Sequence, residues 1–447
     1  MRAIQLRIDP FELISTLEWS CIKEIGEHGV LRVKGLISEK NRDRYRNQAT
    51  SEIWVSGKAI AENDEEVILF NGVVTNLTIH SEHELHTMEI EVKTGTFLLD
   101  ESLHTRAFQD GSVSCESVIE TCVKPAGGRV MMRGQNNASI GGFLLQYRET
   151  NWSFVKKLSR RLGLPILPEF RTQGRRFYLG LNDQAKVVEM VANNYSVSRS
   201  SKSQGSYQVN SREIYELGQS VLFDGKQLII GKVDSGLRGE ELWHEYTLFA
   251  SAPIATVVPD HLRFTGLSLR ARVTKVARDR VQVRILDVEN REDQGQRWFD
   301  YATVYSTPDG MGWYALPDAG DEVRLIFPGA NEARAYVASS VHLSTEGGRT
   351  NPDHKSWKNK QNMEVLMTPN EIVVRTSKGQ LLELSDSKGV TINSSQAIDI
   401  SSDKQIRVNS GSIVNLSGQD QVSVQQKASR IHMKDAIDIS GGKINMN

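Results

Sequence analysis

The sequence holds 447 residues, 39% of them hydrophobic and 24% charged, with a formal net charge of -1. That length accommodates about three domains, and the balanced charge gives no basis for a nucleic-acid or anionic-membrane partner. The three cysteines, Cys21, Cys115 and Cys122, are odd in number and lack metal-ligand spacing. This excludes a disulfide framework and a zinc knuckle and leaves buried free thiols. The first residues, MRAIQLRIDPFELIST, place acidic and polar side chains where a signal peptide has its apolar stretch. No run reaches a membrane span, so synthesis in the cytoplasm without a signal peptide is expected.

Residues 1–102 are β-rich. Gly29 to Gly35, Glu66 to Phe70, Gly72 to Ile79 and Thr87 to Val92 alternate or run apolar between turn residues, which predicts a small barrel. His83-Glu84-Leu85-His86 lacks the four-residue histidine spacing that a zinc-protease helix needs, and it is expected at a surface strand end. Residues 103–165 change to a helical period. Val118, Ile119, Cys122 and Val123 fall on one face; Asn151 is the expected N-cap of a second helix, with Val155, Leu158 and Leu162 as its buried stripe and Gly163 as its stop. The opposite side carries Lys156, Lys157, Arg160 and Arg161, expected to be a solvated face or a subunit contact. Residues 166–261 return to strands, including a hairpin turning at Asp224-Gly225, and predict a second barrel.

Residues 262–342 hold five strand candidates: Leu267 to Val276, Arg280 to Leu286, Trp298 to Val304, Glu322 to Phe327 and Ala333 to Val341. That count suits an OB-type barrel. Trp298, Phe299, Tyr301, Trp313 and Tyr314 are potential stacking platforms, but single-strand binding also needs a basic groove. Here eleven Lys/Arg face eleven Asp/Glu, so core or subunit contact is expected and no nucleic acid. Residues 343–364 read as a polar connector.

Residues 365–447 are governed by a repeat. An aliphatic-x-aliphatic pair returns every eight residues, at Leu382/Leu384, Val390/Ile392, Ile398/Ile400, Ile406/Val408, Val414/Leu416 and Val422/Val424. The residue between each pair is polar, so each unit is a short strand with two side chains inward and one outward. Looser strands are expected at Ile372 to Val374, Ile431 to Met433, Ile437 to Ile439 and Ile444 to Met446. The period fits a β-helix or β-prism, and no Phe, Tyr or Trp follows Trp357, consistent with a narrow interior. At about 4.8 Å per stacked strand the six units rise about 29 Å. One such strand buries too little to stand alone. A single chain winding three octads per turn buries the stripes; three intertwined chains, each supplying one strand in three, bury them with no open edge, and the trimer is the expectation.

No G-x-S-x-G, P-loop or dinucleotide fingerprint is present. Asp399, Asp403, Asp420 and Asp438 are outward carboxylates without loops to wall a sugar cleft, and His432 falls on the outward phase without a second metal ligand. No catalytic, cofactor-binding or metal residue is expected.

Taken together, two barrels with helices between them, an OB-type barrel, a connector and an aliphatic octad rod resemble the spike proteins of contractile injection systems. These are VgrG of type VI secretion and the fused hub and spike of contractile phage tails and phage-tail-like particles. The resemblance spans the whole chain and is carried by QYRETNWSFVKKLSRRLGLP from Gln146 to Pro165, by GWYALPDAGDEVRLIF from Gly312 to Phe327, and by the octads. It implies a mainly β fold: two hub β-barrels with intervening helices, an OB-fold barrel, and a C-terminal trimeric β-helix or β-prism. It further implies a homotrimeric, non-enzymatic spike whose six hub barrels meet the inner tube and baseplate proteins. The rod would make transient contact with the target membrane, and a PAAR-type tip protein would cover Ile444, Asn445, Met446 and Asn447. Such a protein is made in the bacterial cytoplasm, assembled into a baseplate or particle and delivered outside the cell. The resemblance takes in a phage tail, a tailocin, an extracellular injection particle and a type VI system, and the short rod leans toward a phage-tail-like particle. The alternative is a tailspike-type polysaccharide depolymerase, with Asp399 and Asp403 as its acids, or a receptor-binding β-helix protein.

Overall fold

The structure, a computed structural model, describes residues 3–46, 53–61, 65–133, 138–182, 186–200, 203–239, 241–254, 264–342, 350–440 and 442–443. The chain divides into two compact units, residues 1–343 and 344–447.

The first unit is built on a twelve-stranded sheet, antiparallel along its main path. Its main path runs Ala3–Asp9, Trp54–Ala61, Glu66–Glu82, Leu85–Lys93, Val30–Ile37, Ser15–Glu24, Lys226–Arg238, Glu241–Phe249, Ser203–Ser211 and Asn194–Ser200. Strict alternation explains which side chains go inward. In Leu85–Lys93 the buried positions are His86, Met88, Ile90 and Val92, and in Glu241–Phe249 they are Leu242, His244, Tyr246 and Leu248. His86 is therefore buried, bonded to Ser81 at 2.9 Å, and not at the surface as the sequence suggests; only His83-Glu84 forms the exposed turn. The Asp224-Gly225 hairpin forms as expected, with both residues at positive φ.

The two regions that read as separate barrels share this sheet. Ser15–Glu24 pairs with Val30–Ile37 on one side and with Lys226–Arg238 on the other, in a register from Lys232↔Glu24 to Gly236↔Ser20. Each half thus covers a strand edge that the other would leave unpaired. Among the described residues the path is open at Ala3–Asp9 and Asn194–Ser200, and no closed barrel is present. The two halves keep separate cores, one around Trp19, Leu31, Phe70 and Met88 and one around Val209, Val221, Ile230 and Tyr246.

The helices Cys115–Val123 and Asn151–Leu162 share a third core, with Cys122, Trp152, Val155 and Leu158 buried in it. Thr150, one residue before the expected Asn151, caps the second helix by accepting from the Ser153 N–H at 3.1 Å. Asn151 is buried and accepts instead from Arg106 at 2.8 Å. Gly163, at φ 66°, ends this helix as predicted. All three cysteines are buried and unpaired.

Five strands form the next sheet in the order Trp298–Asp300, Arg280–Ile285, Ser268–Ala277, Glu322–Ile326, Tyr336–Val341. Its core includes Phe143, Leu145 and Ala107 from the helical region. Phe143 meets Phe299 edge-on at 5.6 Å and lies against Phe327 at 6.0 Å.

The second unit holds two antiparallel meanders. The first is Lys355–Lys358, Glu364–Met367, Glu371–Arg375, Leu381–Ser385 and Gly389–Asn393; the second is Val422–Gln426, Ser429–Met433 and Ile437–Ser440. The region read as a polar connector supplies the strand Lys355–Lys358. An Asx turn explains it: the Asn359 side chain accepts from the Gln361 and Met363 N–H groups, each at 3.0 Å, and Asn362 takes φ 60°.

Candidate functional site

The feature in the second unit that calls for a partner is the apolar face of its first meander. Register places the aliphatic pairs directly opposite one another. Met367, Ile372, Leu384 and Val390 form one cross-strand row, and Val365, Val374, Leu382 and Ile392 form the next. Residues two apart along a strand share a face, so both rows lie on one side of the sheet. The other side carries Leu366, Val373, Glu383 and Thr391 in register. Only there is an aliphatic side chain fully covered, Val373 at 7% exposure, while Val390 is 68% exposed and Ile392 60%. Glu364 pairs with Arg375 across the rim. A row of opposed aliphatic pairs stabilises a sheet only when its face is covered.

The first two octads therefore pair with each other inside one chain, antiparallel, and not as isolated strands waiting for two other chains. The short loop Asp386-Ser-Lys-Gly389 reverses the chain, with Gly389 at φ 79°, where glycine carries no steric cost.

The middle octads stand apart from the first two within one chain. Ile398, Ile400, Ile406, Val408, Val414 and Leu416 were expected as strand residues facing an interior, yet they lie in no strand of the described chain and are exposed. Ile400 is 72% exposed, Val408 71% and Leu416 73%, so none of them is an interior residue within one chain. The physical reason is that an isolated octad buries too little to hold itself as a strand, and one chain sets no strand beside it. The last octad returns to pairing: Val422 opposes Met433, and Val424 opposes Ile431. Here Ser423 and Asp438 both register against His432. Ile444, Asn445, Met446 and Asn447 lie outside the described residues.

The first unit joins its five-stranded sheet to the helical region through buried amides that the sequence did not reveal. Gln109 donates to Gln294 at 2.8 Å and to the Val283 carbonyl at 3.0 Å; Gln294 and Asn290 donate to the Ala107 carbonyl at 2.6 and 2.8 Å. The Gly295 N–H donates to Gln109 at 3.0 Å. Beside them Glu289 pairs with His104 and Arg106, each at 3.1 Å, and Lys157 pairs with Glu332. Lys156 pairs with Glu27 at 2.7 Å. Lys156 and Lys157 of the basic helix face are thus committed to internal ion pairs. Single glutamines and asparagines between apolar runs give no periodic signal, so only their geometry exposes this seam.

Two other constellations resolve into structure. His28 lies between Thr96 at 2.9 Å and Asp100 at 2.7 Å, a hydroxyl–imidazole–carboxylate chain. Thr96 is fully buried and its hydroxyl also meets Thr94 at 3.0 Å, so no substrate reaches it. Of the aromatics on the five-stranded sheet, Phe299 is core, whereas Trp298, Trp313 and Tyr314 remain exposed. The last two follow a hairpin closed by Trp313 N–H to Tyr305 O at 2.8 Å. Gly312 is required there, because at φ 125° a Cβ would stand 2.4 Å from the Tyr305 oxygen. Among the described residues no cluster could hold a metal ion, and no helix is long and apolar enough to cross a membrane.

Residues 269–342 match the family described as the type VI secretion system/phage-baseplate injector OB domain. No curated protein matches the sequence. Among solved structures, the E. coli c3393 protein is 14% identical, with a TM-score of 0.51 over 76% of this chain and all of its own. It is described as a component of the type VI secretion system with structural similarity to T4 bacteriophage tail proteins gp27 and gp5. The Francisella PdpA-VgrG complex gives a TM-score of 0.56 at 7% identity over 88% of both chains in its half-lidded form. In its lidded form it gives 0.57 at 8% identity over 88% of this chain and 80% of that one. At these identities the likeness is one of fold. The chain resembles VgrG-like and phage hub-spike proteins in fold, and over residues 269–342 it carries an injector-type OB domain.

Proposed function

We propose that this protein is the structural central spike of a contractile injection system or phage-tail-like particle, acting as a homotrimer. The observation that carries the reading is the pair of aliphatic rows exposed on one face of the Lys355–Asn393 meander, in a chain with an injector-type OB domain. Three copies facing a common axis bury those rows and leave the polar faces in water. In the first meander each chain supplies a whole sheet. The exposed octad residues Ile398, Ile400, Ile406, Val408, Val414 and Leu416 pair across chains, forming the β-helix interior together with Leu382, Leu384, Val390, Ile392, Val422 and Val424.

In this reading residues 1–102 and 166–261 are hub halves around the helical segment 103–165, and residues 262–342 are the OB-fold domain. Residues 343–364 lead into the rod, 365–447. The hub seats on the inner tube and baseplate, and a PAAR-type tip protein covers the end at Ile444 to Asn447. The action is mechanical: contraction of the surrounding machine drives the spike, and the rod concentrates that force on a small area of target membrane. The chain contributes no chemical step, and the particle carries it out of the cell that made it.

Amine crosslinking tests the assembly. Lys378 and Lys388 sit at the loops of the meander, and a bond between two copies of Lys388 requires two chains. The proposal expects such homotypic links in a ladder that stops at three chains. A single-chain band at every crosslinker concentration would remove the trimer and the spike with it.

A further inference from the structure

Lys23 breaks the pattern of its own strand. In Ser15–Glu24 the residues Trp19, Cys21 and Lys23 fall on the core-facing phase; Trp19 and Cys21 are buried and Lys23 is half-buried at the end of the row. Its Nζ stands 5.2 Å from the centre of the Phe170 ring, and among the described residues it has no ion-pair partner. Burial pushes the Lys23 ammonium below its ordinary range, and the Arg171 guanidinium adds to the effect.

The ammonium borders a cavity of about 220 Å³ between the Ser15–Glu24 strand, the Glu66–Glu82 strand and residues 167–171 and 214–217. The neighbouring polar groups there are already matched. Tyr178 donates to Glu169 at 2.6 Å, Arg171 pairs with Glu216, and the Arg133 guanidinium lies 3.5 Å from the centre of the Tyr178 ring. Leu69, Leu167 and Leu217 contribute apolar walls. Lys23 is thus a desolvated cation facing an amphipathic cavity, with the Glu169 carboxylate acting on it from a distance and no ion pair of its own, a state that is unfavourable until a partner arrives.

We infer that this cavity is a docking site for an acidic side chain of a partner protein, its carboxylate on Lys23 and its methylene stem against the leucine walls. Charge selects the carboxylate, because the lining cations Lys23, Arg133 and Arg171 outnumber the carboxylates Glu169 and Glu216. Size selects a side chain over a free metabolite, because small-molecule pockets run from roughly 300 to 1,000 Å³. The site lies wholly within residues 1–343 and does not depend on how the octads assemble.

The test uses the full chain, an amine-reactive reagent and mass-spectrometric readout of labelling at Lys23. The probes are two blocked dipeptides, acetyl-Leu-Glu-amide and acetyl-Leu-Gln-amide, and butyrate as a free small carboxylate. The inference expects the acidic dipeptide at millimolar concentration to slow labelling at least about threefold, with little effect from the amide dipeptide. Equal protection by butyrate would replace the protein side chain with a free anion, and no protection by any probe would remove the site. A second measurement guards against a folding artefact. Lys23→Met should raise the melting temperature of the free chain and abolish calorimetric binding of the acidic dipeptide. A lowered melting temperature with binding retained would show the ammonium to be structural.

Discussion

His244 lies on the inward face of Glu241–Phe249, 2.6 Å from the Ser235 hydroxyl, with its other ring nitrogen buried and unpartnered. Burial, with the Lys23 ammonium adding to it, holds the ring pKa down to about 4. The folded state keeps the ring neutral, while the unfolded chain takes up a proton near the usual value of about 6.5. Stability is therefore lost as pH falls through that window, by about 3 kcal/mol at most. Denaturant midpoints at about pH 7 and about pH 5 should differ in the wild type and draw together in His244→Gln. Equal wild-type midpoints would contradict the buried neutral ring. Gln109 allows a second test: Gln109→Leu leaves Gln294 and the Gly295 N–H without their partner and should cost about 1–3 kcal/mol. Differential scanning calorimetry of the full chain reads the loss, and an unchanged transition would show that the amide seam contributes nothing.

The octad is the element whose role separates two readings of the second unit. Val408, like Ile400 before it, is exposed in one chain and sits inside the rod in the assembled reading. Val408→Asp should weaken the trimer by several kcal/mol for each uncompensated buried charge, seen as a lowered melting transition and a smaller mass at equal concentration. Unchanged melting and mass would place Val408 outside any interior. Periodic elements were the legible ones. The strands Leu381–Ser385, Gly389–Asn393 and Val422–Gln426, the five strands from Ser268 to Val341 and the helix stop at Gly163 all follow from period-two or period-3.6 patterning and from glycine. What escaped was pairing. Whether Ser15–Glu24 ends a barrel or joins Lys226–Arg238 depends on an edge contact over two hundred residues distant, which no local pattern encodes. The antiparallel return of the first two octads depends on a turn at Gly389 that the eight-residue period does not encode. Asn151 and Thr150 both have capping side chains, and burial of Asn151 against Arg106 decided between them.

For the whole molecule, the fold likeness and the injector-type OB domain match support the proposed reading of a spike. Among the described residues the first meander exposes two aliphatic rows on one face, which the proposed trimer buries. The amide seam around Gln109 and Gln294 joins the five-stranded sheet to the helical region by directional bonds as well as by apolar contact, as the proposed spike requires. The measurement that tests the central claim most directly is the solution mass by light scattering, on the full chain and on a version ending at Lys360. Three chains of 50.1 kDa give about 150 kDa, and the account predicts that mass for the full chain, with weakened association once the octads are removed. A stable species of one chain mass would contradict it.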